Sequence, residues 1–232
     1  MTAPSLIHPV PTPNLTIMTL ARTEPGRVAV IDLGVRITYG EIDRRIRRCV
    51  GWLLSAGIVP ADTVGLTIRE ELPHLVATLA LLRLGCRQVT LASWESAVMR
   101  AQLAARLGVS VVLGDSAADA VPGASVLLHD AAAIAADASL GGEAMADIAI
   151  RDGILVCPSS GTTGRPKLVA FTEAKLARQA ELNIGLGLTR FRLEGNEFNS
   201  SIRQQLQTMA RGEVDVLANN VTGDSLAPTG AR

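Results

Sequence analysis

Cys157-Pro158-Ser159-Ser160-Gly161-Thr162-Thr163-Gly164-Arg165-Pro166-Lys167 carries most of what this chain says about its chemistry. Two glycines, four hydroxyls and one lysine lie between Ser159 and Lys167. The apolar run Ile154-Leu155-Val156 precedes them, and Leu168-Val169-Ala170-Phe171 follows. Gly161 and Gly164 are free to take positive φ and turn their N–H groups inward. Successive inward N–H groups make an anion-binding nest. The hydroxyls of Ser159, Ser160, Thr162 and Thr163 add donors, and Lys167 adds a compact charge suited to phosphate. Both apolar runs read as strands. The segment is therefore expected to be a strand–loop–strand element whose solvent-facing loop wraps a polyphosphate.

A Walker A loop reads G-x-x-x-x-G-K-[ST] and opens a helix. Here Pro166 precedes the lysine, and Leu168 stands where a Ser or Thr would bind Mg²⁺. Pro166 also has no N–H to offer a phosphate. The P-loop NTPase reading fails on these residues. A ligand-free Ser/Gly hairpin is the bland alternative, and the ordered glycine, hydroxyl and lysine spacing between two strands argues against it.

Ser160 to Lys167 resembles the Ser/Thr-Gly-Thr-Thr-Gly-x-Pro-Lys signature of the adenylate-forming (AMP-binding) superfamily. That group holds acyl-CoA synthetases, adenylation domains of non-ribosomal peptide synthetases and firefly luciferases. Ile37-Thr38-Tyr39-Gly40-Glu41-Ile42 is similar to its early LTYGEL motif, and residues 80–91 to its LKAGAAYVPL segment. The three motifs come in family order, so the resemblance covers roughly residues 16–187, and less securely 198–218. It implies ATP-dependent activation of a carboxylic acid as an acyl-adenylate, followed by transfer to a thiol acceptor, coenzyme A or a carrier protein. Ser159, Ser160, Gly161, Thr162, Thr163, Gly164 and Lys167 are then the ATP-binding residues. Mg²⁺ is implied by the family, but its ligand residues are absent from this sequence, and no catalytic residue is assigned.

The sequence departs from the family pattern at several points. Leu168 replaces the usual glycine after the lysine, and Glu173 stands where many members carry histidine. The chain stops at Arg232, before the family's aromatic-Gly-x-Thr-Glu segment, ribose-binding Asp, hinge Arg and C-terminal lysine. Thr222-Gly223-Asp224 mimics the ribose motif but comes far too early in the chain. An incomplete N-terminal domain is expected. One reading is an acid–thiol ligase active when a complementing C-terminal chain supplies the rest. The alternative is a catalytically inactive remnant, or a nucleotide-binding or interaction module.

The 22 basic and 22 acidic residues cancel, leaving no electrostatic footprint for nucleic acid or an anionic membrane surface. The chain is 48% apolar but only 3% aromatic, so an aliphatic core is expected. Cys49, Cys86 and Cys157 are far apart and odd in number, which fits reduced core thiols. His8, His74 and His129 lack zinc-ligand spacing. No signal peptide is evident, and Arg83 interrupts the longest apolar helical run, so no membrane span is expected and a cytoplasmic protein follows.

The fold class expected is α/β, a mostly parallel sheet flanked by helices. Residues 1–15 read as an extended arm, 16–218 as a partial AMP-binding domain and 219–232 as a disordered tail. Strands are expected at 28–32 and 35–38, joined at Leu33-Gly34 as a hairpin. Thr38-Tyr39-Gly40-Glu41 reads as a capping box opening a helix whose apolar face is Ile42, Ile46, Cys49, Val50, Leu53 and Leu54, closed by Gly57. Arg44, Arg45, Arg47 and Arg48 read as a solvated face rather than a phosphate patch. Then come strand 63–68, helix 72–84 ended by Gly85, strand 87–91, helix 95–107 starting near Ser93 or Trp94, and strand 109–113. Residues 115–147 read as surface connection with a loose helix, and with a short strand at 126–128. After the phosphate segment, Thr172 is expected to cap a helix to about residue 184. A further helix after Ser201 and a strand at 214–218 complete the reading. Trp52 and Trp94 are assigned to packing.

Overall fold

A computed structural model describes residues 11–60, 62–140, 153–159 and 167–185. The Ser201 helix, strand 214–218 and the 219–232 tail lie outside the described residues. The elements run α1 (Pro13–Thr23), β1 (Val28–Asp32), β2 (Val35–Thr38), α2 (Tyr39–Ser55), β3 (Thr63–Thr67), α3 (Glu71–Leu84), β4 (Arg87–Thr90), α4 (Ala97–Leu107) and β5 (Val111–Gly114). After a 3₁₀ turn (Ala117–Asp119) come β6 (Ser125–Leu128), α5 (Ala131–Ala136), β7 (Ile154–Ser159), β8 (Lys167–Thr172) and α6 (Glu173–Gly185).

Local chemistry explains most boundaries. In the β1–β2 hairpin Leu33 (φ 47°) and Gly34 (φ 82°) both take positive φ, as the tightest right-twisted hairpin turn requires. The Thr38 side chain accepts from Glu41 N–H while Glu41 accepts from Thr38 N–H, completing the capping box of α2. Gly85 and Gly108 close α3 and α4 in the left-handed conformation.

Three expectations are corrected. Helix α1 begins inside the stretch read as an extended arm: Pro13 is pre-set for a first helical turn, and the Thr12 side chain accepts from Leu15 N–H. Helix α4 is capped by Ser96, which accepts from Met99 N–H, and not by Ser93 or Trp94. Strand β5 starts two residues late because Val109 N–H closes α4 on the Ala104 carbonyl at 3.0 Å. The loose helix expected within 115–147 is α5, and a 3₁₀ turn precedes it.

Six strands form one sheet in the order β6-β5-β3-β4-β7-β8. All neighbours pair in parallel except β7 and β8, which are antiparallel. From β3 the chain crosses to β4 on one side, then back past β3 to β5 on the other. Crossovers of one hand running in opposite directions put their helices on opposite faces. Accordingly, Val64, Leu66, Leu113, Leu155 and Cys157 share a core with α1, α2, α3 and α6. Val89, Val112 and Val156 face Leu103 and Ala104 of α4. The α/β expectation holds.

Helix α3 is buried on every side, from Leu75 through Leu84. It lies so close to the start of β7 that a Cβ on Gly153 would sit 2.6 Å from Leu82 Cα and 2.7 Å from the Leu82 carbonyl oxygen. His74, also in α3, is buried; its Nδ1 donates to the Ile68 carbonyl at 3.0 Å, and Nε2 is 3.4 Å from Thr90 Oγ1. Burial pulls the His74 pKa down to about 4, against the Ile68 carbonyl, with His129 adding a small push in the same direction.

Two outcomes follow from this layer. Gly153→Ala is expected to destabilise the fold by about 1–3 kcal/mol, because the obstacle is backbone and cannot rotate away; denaturant titration of both proteins measures it. The second concerns pH. The His74 pKa is lower folded than unfolded, so its contribution is complete above the unfolded value and is lost as pH falls through about 4. Between pH 6.5 and 4 the wild type is expected to lose on the order of 2–3 kcal/mol relative to His74→Gln. Denaturation curves at pH 7.5, 5.5 and 4.5 that stay parallel for the two proteins would refute it.

Candidate functional site

The two ends of the Ser159–Lys167 segment come together. Strands β7 and β8 pair along their length, from Ile154↔Thr172 through Cys157↔Val169 to Ser159↔Lys167. Ser159 and Lys167 are thus direct cross-strand partners, with Cα atoms about 4.5–5.5 Å apart in such pairs. The strand–loop–strand expectation is met at both strands. Ser160, Gly161, Thr162, Thr163 and Gly164 lie outside the described residues, as do Arg165 and Pro166. Lys167 is exposed at the start of β8.

The sheet sets where this hairpin opens. Parallel pairing of β4 with β7, Arg87↔Ile154 to Val89↔Val156, sends both strands toward one edge. That edge collects the carboxyl ends of β3, β4, β5, β6 and β7, where open α/β sheets bind ligands. Ser159 ends β7 there, beside the loop that follows β4. Charged side chains at the same edge pair with one another. Arg69 grips Asp119 at 2.7 Å and Asp115 at 3.4 Å, and Arg100 lies 3.6 Å from Asp119. Burial works to raise the Asp119 carboxyl, but Arg69, the Ser116 N–H and Arg100 outweigh it and hold it below the usual range.

At the other end of β8 the structure reveals a group that sequence patterning missed. Glu173, the first residue of α6, is 2% exposed. Asn14 of α1 donates from Nδ2 to Glu173 Oε1, and to the Leu79 carbonyl at 3.1 Å. Asn14 Oδ1 accepts from Arg83 Nε at 3.0 Å. Arg83 Nη2 donates to Asp43 at 3.1 Å, and Arg47 Nε donates to the other Asp43 oxygen at 2.9 Å. Burial raises the Glu173 pKa, opposed by hydrogen bonds from Thr12 and Asn14 and by the charge of Arg83. The signal in the sequence was Arg83 itself, a cation inside an otherwise apolar helix. The position of Glu173 hinted at its singularity but not at its partners.

The arginine run on α2 divides. Arg44 and Arg45 are exposed, Arg47 pairs with Asp43, and Arg48 donates to the Ala135 carbonyl. Trp52 packs edge-on against His129, with ring centroids 5.4 Å apart at 83°. Trp94, also assigned to packing, is instead 58% exposed. Among the described residues no three His, Cys, Asp or Glu side chains converge as a metal cluster. None of the described helices is long and apolar enough to cross a membrane.

Comparison with known proteins gives a consistent picture. A 4-chlorobenzoate–CoA ligase from Arthrobacter is 31% identical over 158 residues, 63% of this chain and 30% of that protein. A nonribosomal peptide synthase, roqA, from Penicillium rubens is 26% identical over 219 residues, 90% of this chain and 9% of that protein. Among solved structures, the Klebsiella oxytoca NpsA N-terminal subdomain in complex with 3-hydroxybenzoyl-AMSN aligns with TM-score 0.75 at 18% identity, over 94% of this chain and 56% of that one. The o-succinylbenzoate CoA synthetase of Bacillus subtilis, in complex with its acyl-adenylate intermediate, aligns with TM-score 0.71 at 21% identity, over 87% and 55%. The chain spans under a third of the length of these curated relatives. The profile of the AMP-binding enzyme family matches residues 19–195, more than half of the sequence and the whole of the six-stranded sheet, and the chain belongs to that family.

Proposed function

We propose that this chain supplies the phosphate-binding hairpin and supporting sheet of an ATP-dependent site that activates a carboxylic acid as its acyl-adenylate, of the acid–thiol ligase type. The observation that carries the proposal is the pairing of Ser159 with Lys167 at the carboxyl edge of the parallel sheet, closing the ends of a Gly/Ser/Thr segment. In this reading Lys167 and the hydroxyls of Ser159, Ser160, Thr162 and Thr163 hold the β- and γ-phosphates of ATP. Gly161 and Gly164 let backbone N–H groups approach them. A carboxylate oxygen of the acid attacks the α-phosphorus, and the bond from that phosphorus to the bridging oxygen breaks, releasing pyrophosphate. The contribution of this chain's residues is position and charge stabilisation. Among the described residues no three His, Cys, Asp or Glu side chains gather as metal ligands, and no step is routed through Mg²⁺. Coenzyme A or a carrier-protein thiol is the acceptor this class uses, and the three buried cysteine thiols suit a reducing, cytoplasmic setting.

Two measurements test the proposal. Isothermal titration with pyrophosphate or ATP is expected to give weak binding that falls with salt, since exposed charge–phosphate contacts are screened over about 8 Å at physiological ionic strength. Lys167→Ala is expected to weaken it about tenfold, the worth of one charged hydrogen bond. Equal affinity in the two proteins removes Lys167 from the site. The second is carboxylate-dependent ATP–pyrophosphate exchange. The sequence has no aromatic-Gly-x-Thr-Glu motif, and loss of even one preorganised donor costs about 10²–10³ in rate. The 232-residue chain alone is therefore expected to be silent, and to gain exchange when mixed with a C-terminal portion of a related synthetase. Silence of that mixture, with pyrophosphate binding intact, would favour the non-catalytic nucleotide-binding alternative.

A further inference from the structure

Strand β8 poses a register problem. A one-residue slip against β7 would carry every side chain to the opposite face, Lys167 included. Two devices usually prevent this, and both are weak here. A tight turn fixes register when it is short, whereas seven residues, 160–166, separate Ser159 from Lys167. A strong inside–outside pattern fixes it when one face is apolar and buried. In β8 Lys167, Val169 and Ala170 are exposed, and Leu168, Phe171 and Thr172 are only half-buried. Among the described residues β8 is also an edge strand, held laterally by β7 alone.

The firm anchor is at the far end. Glu173 follows Thr172 directly and, like Leu176 one turn on, lies on the buried face of α6. A carboxylate there is costly unless it is bonded. Thr12 and Asn14 both donate to it, and Asn14 is oriented in turn by the Leu79 carbonyl and by Arg83. Arg83 is fixed by Asp43, and Asp43 by Arg47. Glu173 is therefore held by a chain of directional bonds through α1, α3 and α2. An apolar side chain would suit this layer for stability alone, since a buried ionic group is weak support for it. Directional bonds add what apolar packing lacks, a single accepted position.

We propose that Glu173 is the positioning residue of the phosphate hairpin: its bond to Asn14 sets the register of β8 on β7, and so the face on which Lys167 stands opposite Ser159. The functional part of this rests on reading 159–167 as phosphate-binding; the register part does not.

Register is read by cross-linking to a native cysteine. Cys157 lies opposite Val169, so Val169→Cys forms a cross-strand disulfide under mild oxidation when β8 is in register. A one-residue slip brings position 168 or 170 opposite Cys157 instead. Leu168→Cys, Val169→Cys and Ala170→Cys are each made in wild-type, Glu173→Gln, Glu173→Asp and Glu173→Ala backgrounds. Mass spectrometry of peptide pairs gives the yields, and pyrophosphate titration is run on the four parent proteins without the added cysteine. Glutamine keeps the acceptor oxygen in place, whereas Asp draws it back by one methylene. In the wild-type and Gln backgrounds the cross-link is expected at position 169. In the Asp and Ala backgrounds it spreads to 168 or 170, with pyrophosphate affinity down about tenfold. A cross-link confined to 169 in folded Glu173→Ala overturns the proposal. So does failure of both Glu173→Asp and Glu173→Ala to fold, which would make Glu173 a stability element only. Should Glu173→Ala alone fail to fold, the Asp background decides. If the wild type binds no pyrophosphate, the phosphate reading falls while the cross-links still decide the register.

Discussion

A helix that is apolar all round has to be surrounded, and the architecture answers that demand for α3. From Leu75 to Leu84 it has no solvated face. The sheet closes one side through Val64, Leu66 and Leu155, and α2 closes the other through Ile42, Ile46, Cys49 and Leu53. Helices α1 and α6 fill the flank with Ile17 and Leu176. Each cover is drawn from a different part of the chain, so satisfying one helix assembles the whole layer. The close passage at Gly153 shows how tight the enclosure is. Full burial of a leucine stabilises by roughly 1.5–3 kcal/mol, and α3 repeats that contribution along its length.

The same enclosure creates the polar problem that α3 carries with it. Arg83 is 2% exposed, so its guanidinium has to find partners inside the layer. It finds Asp43 on α2 and Asn14 on α1, and Asn14 passes the constraint to Glu173. The network runs between helices that are far apart in sequence. It ends at the root of the strand that presents Lys167. Packing of the core and the root of the β7–β8 hairpin are thus parts of one arrangement.

Among the described residues the cover on the opposite side of the sheet is thinner, with Leu103 and Ala104 the buried apolar residues of α4. The carboxyl edge is where the two sides part, because the loops after β3 and β4 lead to helices on opposite faces. Arg69, Asp115, Asp119 and Arg100 neutralise one another toward the β5 side of that edge. The cation of Lys167 belongs to the β7–β8 side.

Much of this could be read before any coordinates. The β1–β2 hairpin, the α2 capping box, the glycine stops of α3 and α4, and the strands around the phosphate segment all follow from local chemistry: positive φ, capping hydroxyls and apolar runs. So did the α/β class, from the alternation of those elements, and the candidate residues 159–167, from composition and order. What escaped was non-local. Helix α1 hid among prolines because its stability lies in Asn14 and Ile17 meeting α3 and its neighbours, not in its own periodicity. The strand order, with β7 inserted beside β4 and β8 turned back antiparallel, depends on which edge the covered faces leave open. The bond from Asn14 to Glu173 spans 159 positions, and only the closed helical layer brings its two ends together. Sequence determined which local elements form and where the glycines, hydroxyls and lysine of 159–167 cluster, because those are short-range properties. Tertiary structure alone decided which partners Arg83 and Glu173 meet, because burial forces a charged group to find its partner wherever the fold has put one.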